Sequence, residues 1–173
     1  TDEFLVSDAG TLKRIDYSLI KGGGITEADQ WRLTTEKTSN GDITANLERV
    51  DTDSTYIGAG MTESSGIFTF PSTGLYWILV NTRIKNYVND NQVNLNIQVT
   101  TDNSSYTTRG VASVGDNESG ETRTSVAQNI FFDVTNTSTH KVKFNINSIS
   151  SAAIDGDTDI NFTSFTFIRL GDT

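Results

Sequence analysis

A chain of 173 residues is long enough to bury a core within one domain, and without a cysteine it must fold with neither disulfide staples nor a thiolate metal site. Its 13 Lys and Arg stand against 22 Asp and Glu, a net charge of −9. The basic residues are scattered, with Lys13-Arg14 and Lys141/Lys143 as the densest pairs, so the field repels polyphosphate and no nucleic-acid partner is expected. No apolar run approaches the roughly 20 residues that span a bilayer, so no membrane insertion is expected. No secretory signal pattern opens the chain; it begins with Thr1, as a processed product or part of a longer polypeptide would.

Taken in order, residues 1–25 read differently from the rest. Phe4-Leu5-Val6 and Leu12 to Ile15 flank the turn-rich Ser7-Asp8-Ala9-Gly10, which predicts a small hairpin. Ile15, Tyr17 and Leu19 alternate before Gly22-Gly23-Gly24. Three consecutive glycines read as a flexible hinge, and no Gly-Lys-Ser/Thr follows to make them a phosphate loop. The segment is therefore read as a neck ahead of one domain at 26–173.

From about residue 29 the pattern is strand, turn, strand, with a single proline (Pro71) and no 3.6-residue period. Val93, Leu95, Ile97 and Val99 alternate with Asn94, Asn96, Gln98 and Thr100. Val142, Phe144 and Ile146 alternate with Lys141, Lys143, Asn145 and Asn147. Both read as half-buried strands. Turn clusters are predicted at Asn89-Asp90-Asn91, Asp102 to Ser105, Gly115 to Gly120, Asn136 to Thr139 and Asp155 to Asp159. Eight or more strands without helices mean an all-β sandwich or barrel. Two segments, Leu75 to Val80 and Phe162 to Ile168, are apolar on both faces. One face of each enters the core; the other needs a cover, and with no helix to supply it the expectation is another subunit.

Residues for chemistry are few. The single histidine, His140, lies where a turn enters a strand and reads as a surface residue with no marked nucleophile or orienting acid. One histidine and no cysteine exclude a transition-metal site; a carboxylate pair can come from distant strands whatever its spacing, but among 22 acids chance proximity is the expectation, so no enzyme activity is expected. Asp155, Asp157 and Asp159 in Asp155-Gly156-Asp157-Thr158-Asp159 have the alternation of a weak calcium loop but lack the glycine and distant glutamate of an EF-hand. Asp116, Asn117, Glu118 and Glu121 form a second acidic loop. Asn103, Asn117, Asn136 and Asn161 lie in Asn-x-Ser/Thr sequons of the kind that chance supplies in so polar a chain.

The stretch Gly66-Ile67-Phe68-Thr69-Phe70-Pro71-Ser72-Thr73-Gly74-Leu75-Tyr76-Trp77-Ile78 resembles the signature of the complement globular-head and tumour-necrosis-factor-like superfamily. Phe68, Gly74, Tyr76 and Ile78 keep its spacing, with Ile78 in place of a Phe. Upstream the pattern departs, with Val50, Tyr56 and Met61 where aromatic and Asn/Asp residues belong. Phe165-Thr166-Phe167-Ile168-Arg169-Leu170 resembles the family's closing strand, and the likeness covers roughly residues 29–173. It implies a jelly-roll β-sandwich of about ten strands, assembled as a homotrimer with inner sheets toward the threefold axis. Phe68, Tyr76, Ile78, Val80, Phe165 and Phe167 would then lie in the core, and Trp77, Leu79 and Ile168 would face neighbouring subunits. Asp2-Glu3-Phe4-Leu5-Val6-Ser7-Asp8 with Leu12-Lys13-Arg14-Ile15 resembles connectors that precede terminal domains in fibre and capsid-appendage proteins of marine bacteriophages. Together these imply a non-enzymatic protein on a virion surface, the host-binding head of a tail or head fibre. It would be joined to other virion proteins through residues 1–25 and would meet a host receptor through loops at the far end. The alternatives are a capsid decoration trimer seated on the shell, and a secreted complement-like or cytokine-like ligand.

Overall fold

The structure is a computed structural model that describes residues 3–16, 24–53 and 55–173. Among these there is no helix; the strands are β1 (Glu3–Asp8), β2 (Thr11–Asp16), β3 (Ala28–Leu33), β4 (Gly41–Asp42), β5 (Leu47–Arg49), β6 (Thr62–Ser64), β7 (Ile67–Thr69), β8 (Gly74–Asn86), β9 (Asp90–Thr100), β10 (Thr107–Asp116), β11 (Thr122–Val134), β12 (Lys141–Asn147), β13 (Ala152–Ile154) and β14 (Ser164–Gly171). β1 and β2 form the hairpin foreseen from the turn residues. Its two-residue turn, Ala9 and Gly10, has φ of 49° and 86°, the pair of positive angles that matches the twist of a tight hairpin. Tyr17, Leu19 and the Gly22-Gly23 part of the hinge lie outside the described residues.

The other strands make two six-stranded antiparallel sheets. One runs β11-β8-β14-β3-β5, with β13 continuing beside β8 where β14 stops; the other runs β10-β9-β12-β7-β6, with β4 beside β12. Neighbours in a sheet are mostly distant in sequence, because the chain passes from sheet to sheet between β10 and β11, β11 and β12, and β12 and β13. This is the winding of a jelly roll. Two of the turns are placed differently from what the composition predicts. Asp90 and Gly115-Asp116 belong to strands, which leaves Tyr87–Asn89 and Asn117–Glu121 as the connections. Phe162 lies ahead of β14, not in it.

The core fills the space between the sheets. Phe68, Tyr76, Ile78, Val80, Phe165 and Phe167 are all buried there. Phe68 is the hub: Trp31, Phe144 and Phe167 stand around it with ring centroids 5.4, 5.6 and 5.1 Å away, and Phe144 stacks on Phe165 at 4.2 Å. Each such side chain contributes roughly 1.5–3 kcal/mol by burial. Tyr76 keeps its hydroxyl satisfied by donating to the Ser72 carbonyl at 3.1 Å. Gly74 explains the glycine of the signature. It has φ of 133°, and a Cβ there would stand 2.4 Å from the Gly171 carbonyl, so only glycine lets β8 start against the end of β14.

Candidate interaction surface

Strand register decides what the β11-β8-β14-β3 sheet presents on the side away from the core. Directly opposed residues of an antiparallel ladder share a face. The first rung is therefore Ala28, Ile168, Trp77 and Phe131, and the second is Gln30, Thr166, Leu79 and Asn129. The third is Arg32, Ser164, Asn81 and Ala127, after which β8 and β11 continue with Arg83 beside Ser125 and Lys85 beside Arg123. Trp77, Leu79 and Ile168 are half-buried, while Phe131 is 64% exposed.

The face is thus graded. Its first rung is apolar and uncovered within the chain. Its middle is small and polar, where Gln30 donates to Thr166 at 2.8 Å and accepts from Asn161 at 3.0 Å. Its far end is an ion-pair network. Arg83 meets Asp155 at 2.5 Å and lies over the Phe162 ring. Lys85 meets Glu36 at 2.9 Å, and Arg123 meets Glu121 at 2.6 Å. The Lys85 ammonium and the Tyr87 hydroxyl both donate to Glu36 and hold its carboxyl below the usual range. Arg32 is fully buried at one margin. It survives there because Glu48, Asp51 and the Asp159 carbonyl accept from its guanidinium.

Phe131 is the residue the sequence reading missed. The available signal was the pair Phe131-Phe132: consecutive strand residues point to opposite faces, so one of two adjacent phenylalanines must leave the core. Phe132 is the inward one, 5.7 Å from Phe70 and 5.6 Å from the His140 ring.

Other candidate residues are placed differently from expectation. His140 is buried, not at the surface, because the turn at 136–139 folds its ring onto Phe132. Its ring nitrogens face the Thr135 and Thr139 hydroxyls at 3.3 and 3.1 Å. Asp155, Asp157 and Asp159 do not converge as a calcium loop would. Asp155 is turned inward to Arg83, and Asp157 accepts the N–H groups of Asp159 and Ile160 at 2.8 Å each, which lowers its pKa. Asp159 is exposed. Among the described residues no three His, Cys, Asp or Glu side chains gather as metal ligands.

No protein-family model matches the sequence, and no curated protein matches it. Among solved structures the chain is similar to Eiger TNF from S. frugiperda, with a TM-score of 0.64 at 12% identity over 87% of this chain and 96% of that one. It is similar also to murine APRIL, with a TM-score of 0.60 at 12% identity over 83% of this chain and 98% of the other. Identity this low speaks to the fold alone, and the fold is a TNF-like jelly roll.

Proposed function

We propose that the chain is a non-enzymatic, homotrimeric binding head, the terminal host-binding part of a tail or head fibre on a virion surface. The observation that carries the assembly is the uncovered rung of Trp77, Phe131 and Ile168. Covering Phe131 alone is worth roughly 1–2 kcal/mol per subunit, and a cluster of large apolar side chains on one sheet face suits a subunit contact better than water. A second copy of this chain is the simplest cover, and closed threefold symmetry buries the rung on every subunit. The far-end loops, Tyr87–Asn89, Asn117–Glu121 and the stretch from 155 to 163, are then presented three times on a rigid scaffold. Weak contacts gain by avidity there without a deep pocket.

The virion setting rests on the resemblance of Asp2 to Ile15 to phage connectors and on the hairpin that Glu3 to Asp16 form. A secreted cytokine-like ligand is the second reading, favoured by the likeness to Eiger TNF and APRIL. Light scattering on the purified chain tests the assembly: a mass three times that of the 18.9 kDa chain is expected, and a stable monomer overturns it. Binding of the labelled chain tests the setting. Staining of bacterial cells supports the fibre head, attachment to capsids alone supports a decoration trimer, and staining of animal cells alone supports the ligand.

A further inference from the structure

The end of the sandwich where β8 turns into β9 and β10 into β11 closes on polar side chains instead of hydrocarbon. Asn86 and Thr122 are the last opposed pair of the β8–β11 ladder, and Asp90 and Asp116 are the last opposed pair of the β9–β10 ladder. The two ladders belong to different sheets, tied together here by the short connections Tyr87–Asn89 and Asn117–Glu121. A register shift between Val114 and Asp116 places an extra residue on β9. Such a bulge re-aims the side chain beyond it, and Asp90 is turned inward, 3% exposed. Thr122 donates to Asp116 across the gap between the sheets. Asp90 accepts the N–H groups of Ser150 and Ser151 at 2.9 and 2.8 Å, immediately ahead of Ala152, whose ladder partner is Asn86.

The ladder pairs set Thr122, Asp90 and Asp116 at the same end as Asn86, and Asn86 is the anomaly. It is 1% exposed, and neither the oxygen nor the nitrogen of its amide has a hydrogen-bond partner. Its amide faces the Asp116 carboxylate without a bond of normal geometry. A buried, unpartnered amide is costly, roughly 1–3 kcal/mol for each orphaned group. Asp90 and Asp116 bring two carboxylates to this end of the ladder, and Asp116 also accepts the Glu118 N–H at 2.9 Å. The nearby cations do not answer this charge: Lys85 and Arg123 lie on the opposite face of their strands, paired with Glu36 and Glu121.

We propose that Asn86, Asp90, Asp116 and Thr122 bind a calcium ion that fastens the two sheets at this end. The donors are all oxygen, two of them anionic, as a hard cation requires. Calcium tolerates an irregular set completed by water, whereas magnesium demands a near-ideal octahedron. The site is separate from the Asp155 to Asp159 turn and does not depend on the assembly proposed above.

The test uses the full chain stripped of metal and dialysed to equilibrium against radioactive calcium chloride. One calcium per chain is expected, with a dissociation constant in the range of about 0.1–1 mM typical of extracellular modules. Calcium chloride should also raise the Tm saturably by several degrees, and magnesium chloride at equal concentration should do less. Asp116→Asn should weaken calcium binding at least about tenfold, while Asp157→Asn should leave it unchanged. Asn86→Asp serves as a second variant, since it adds a charge where the amide is unpartnered. It should lower the metal-free Tm and tighten calcium binding. The site is overturned if the wild-type chain shows no saturable binding, if Asp116→Asn binds as well as wild type, or if Asn86→Asp loses stability without gaining affinity.

Discussion

The sandwich has two outward faces, and they solve the problem of facing water in opposite ways. On the β9–β12 side, Asn94 donates to Asn147 at 2.7 Å and accepts from Ser113 at 2.6 Å. Asn145 and Lys143 both donate to Asp42, at 2.7 and 2.8 Å. Tyr106 lies over the Lys143 ammonium, 4.4 Å from its ring centroid. That face is a net of amides, hydroxyls and one ion pair in contact with solvent, with Val111 the large apolar side chain exposed among them. On the β8–β11 side the same two-residue period delivers Trp77, Leu79, Phe131 and Ile168. Strand alternation fixes only which residues face out; their chemistry decides whether the face is finished or waits for a partner.

The interior is the reference for both faces, and damage there should be largest. Phe68→Ala removes the ring around which Trp31, Phe144, Phe165 and Phe167 are arranged and should cost about 3–5 kcal/mol in chemical denaturation. Trp77→Glu separates the two faces more sharply. If the graded face is a subunit contact, a charge in its apolar rung should cost several kcal/mol of association. Light scattering should then show a fall to monomer mass while the far-UV circular dichroism keeps its β signature. A variant that stays trimeric and folded would place Trp77 outside any contact. Asn145→Ala cuts the hydrogen bond to Asp42 and the long one from Asn96 and should cost about 0.5–1.5 kcal/mol without changing the mass.

The two faces were unequally legible in the sequence. Val93 to Val99 and Val142 to Ile146 alternate cleanly because one side of each meets only the core and the other only solvent. Leu75 to Val80 was readable as a strand in need of a second cover for the converse reason. β11 hid Phe131 because its inward positions include Gln128, which is tolerated inside by donating to the Leu95 carbonyl at 2.7 Å; a polar residue inside and a phenylalanine outside erase the period. His140 and Asp155 were misjudged for another reason. Their local composition is that of exposed turns, and what buries them lies outside the turn: Phe132 on the preceding strand for the first, Arg83 from a distant strand for the second. Asn86, which the ladders bring to the same end as Asp116 and Thr122, belongs to the same class.

The finished face should also carry a pH signature that the apolar rung lacks. Burial pushes the Asp42 carboxyl up, but the Lys143 and Asn145 donors outweigh it and hold it below the usual carboxylate range. A carboxyl depressed in the folded state contributes stability that is fully present above its unfolded pKa and is lost as pH falls through the folded one. Asp42→Asn removes that contribution. The stability gap between wild type and Asp42→Asn should therefore be constant from pH 7 to about 5 and narrow as the pH drops below about 4. Asp90, Asp116 and Asp157 titrate in the same acid window, but they are common to both proteins and cancel in the difference. Urea denaturation across that range would measure the gap. If the gap stays constant below pH 4, the Lys143–Asp42–Asn145 contacts do not hold the carboxyl in its charged form, and the net on that face is looser than its geometry implies. The first rung of the other face holds no titratable side chain, so lowering the pH should leave the hold of Trp77 and Phe131 on a partner untouched.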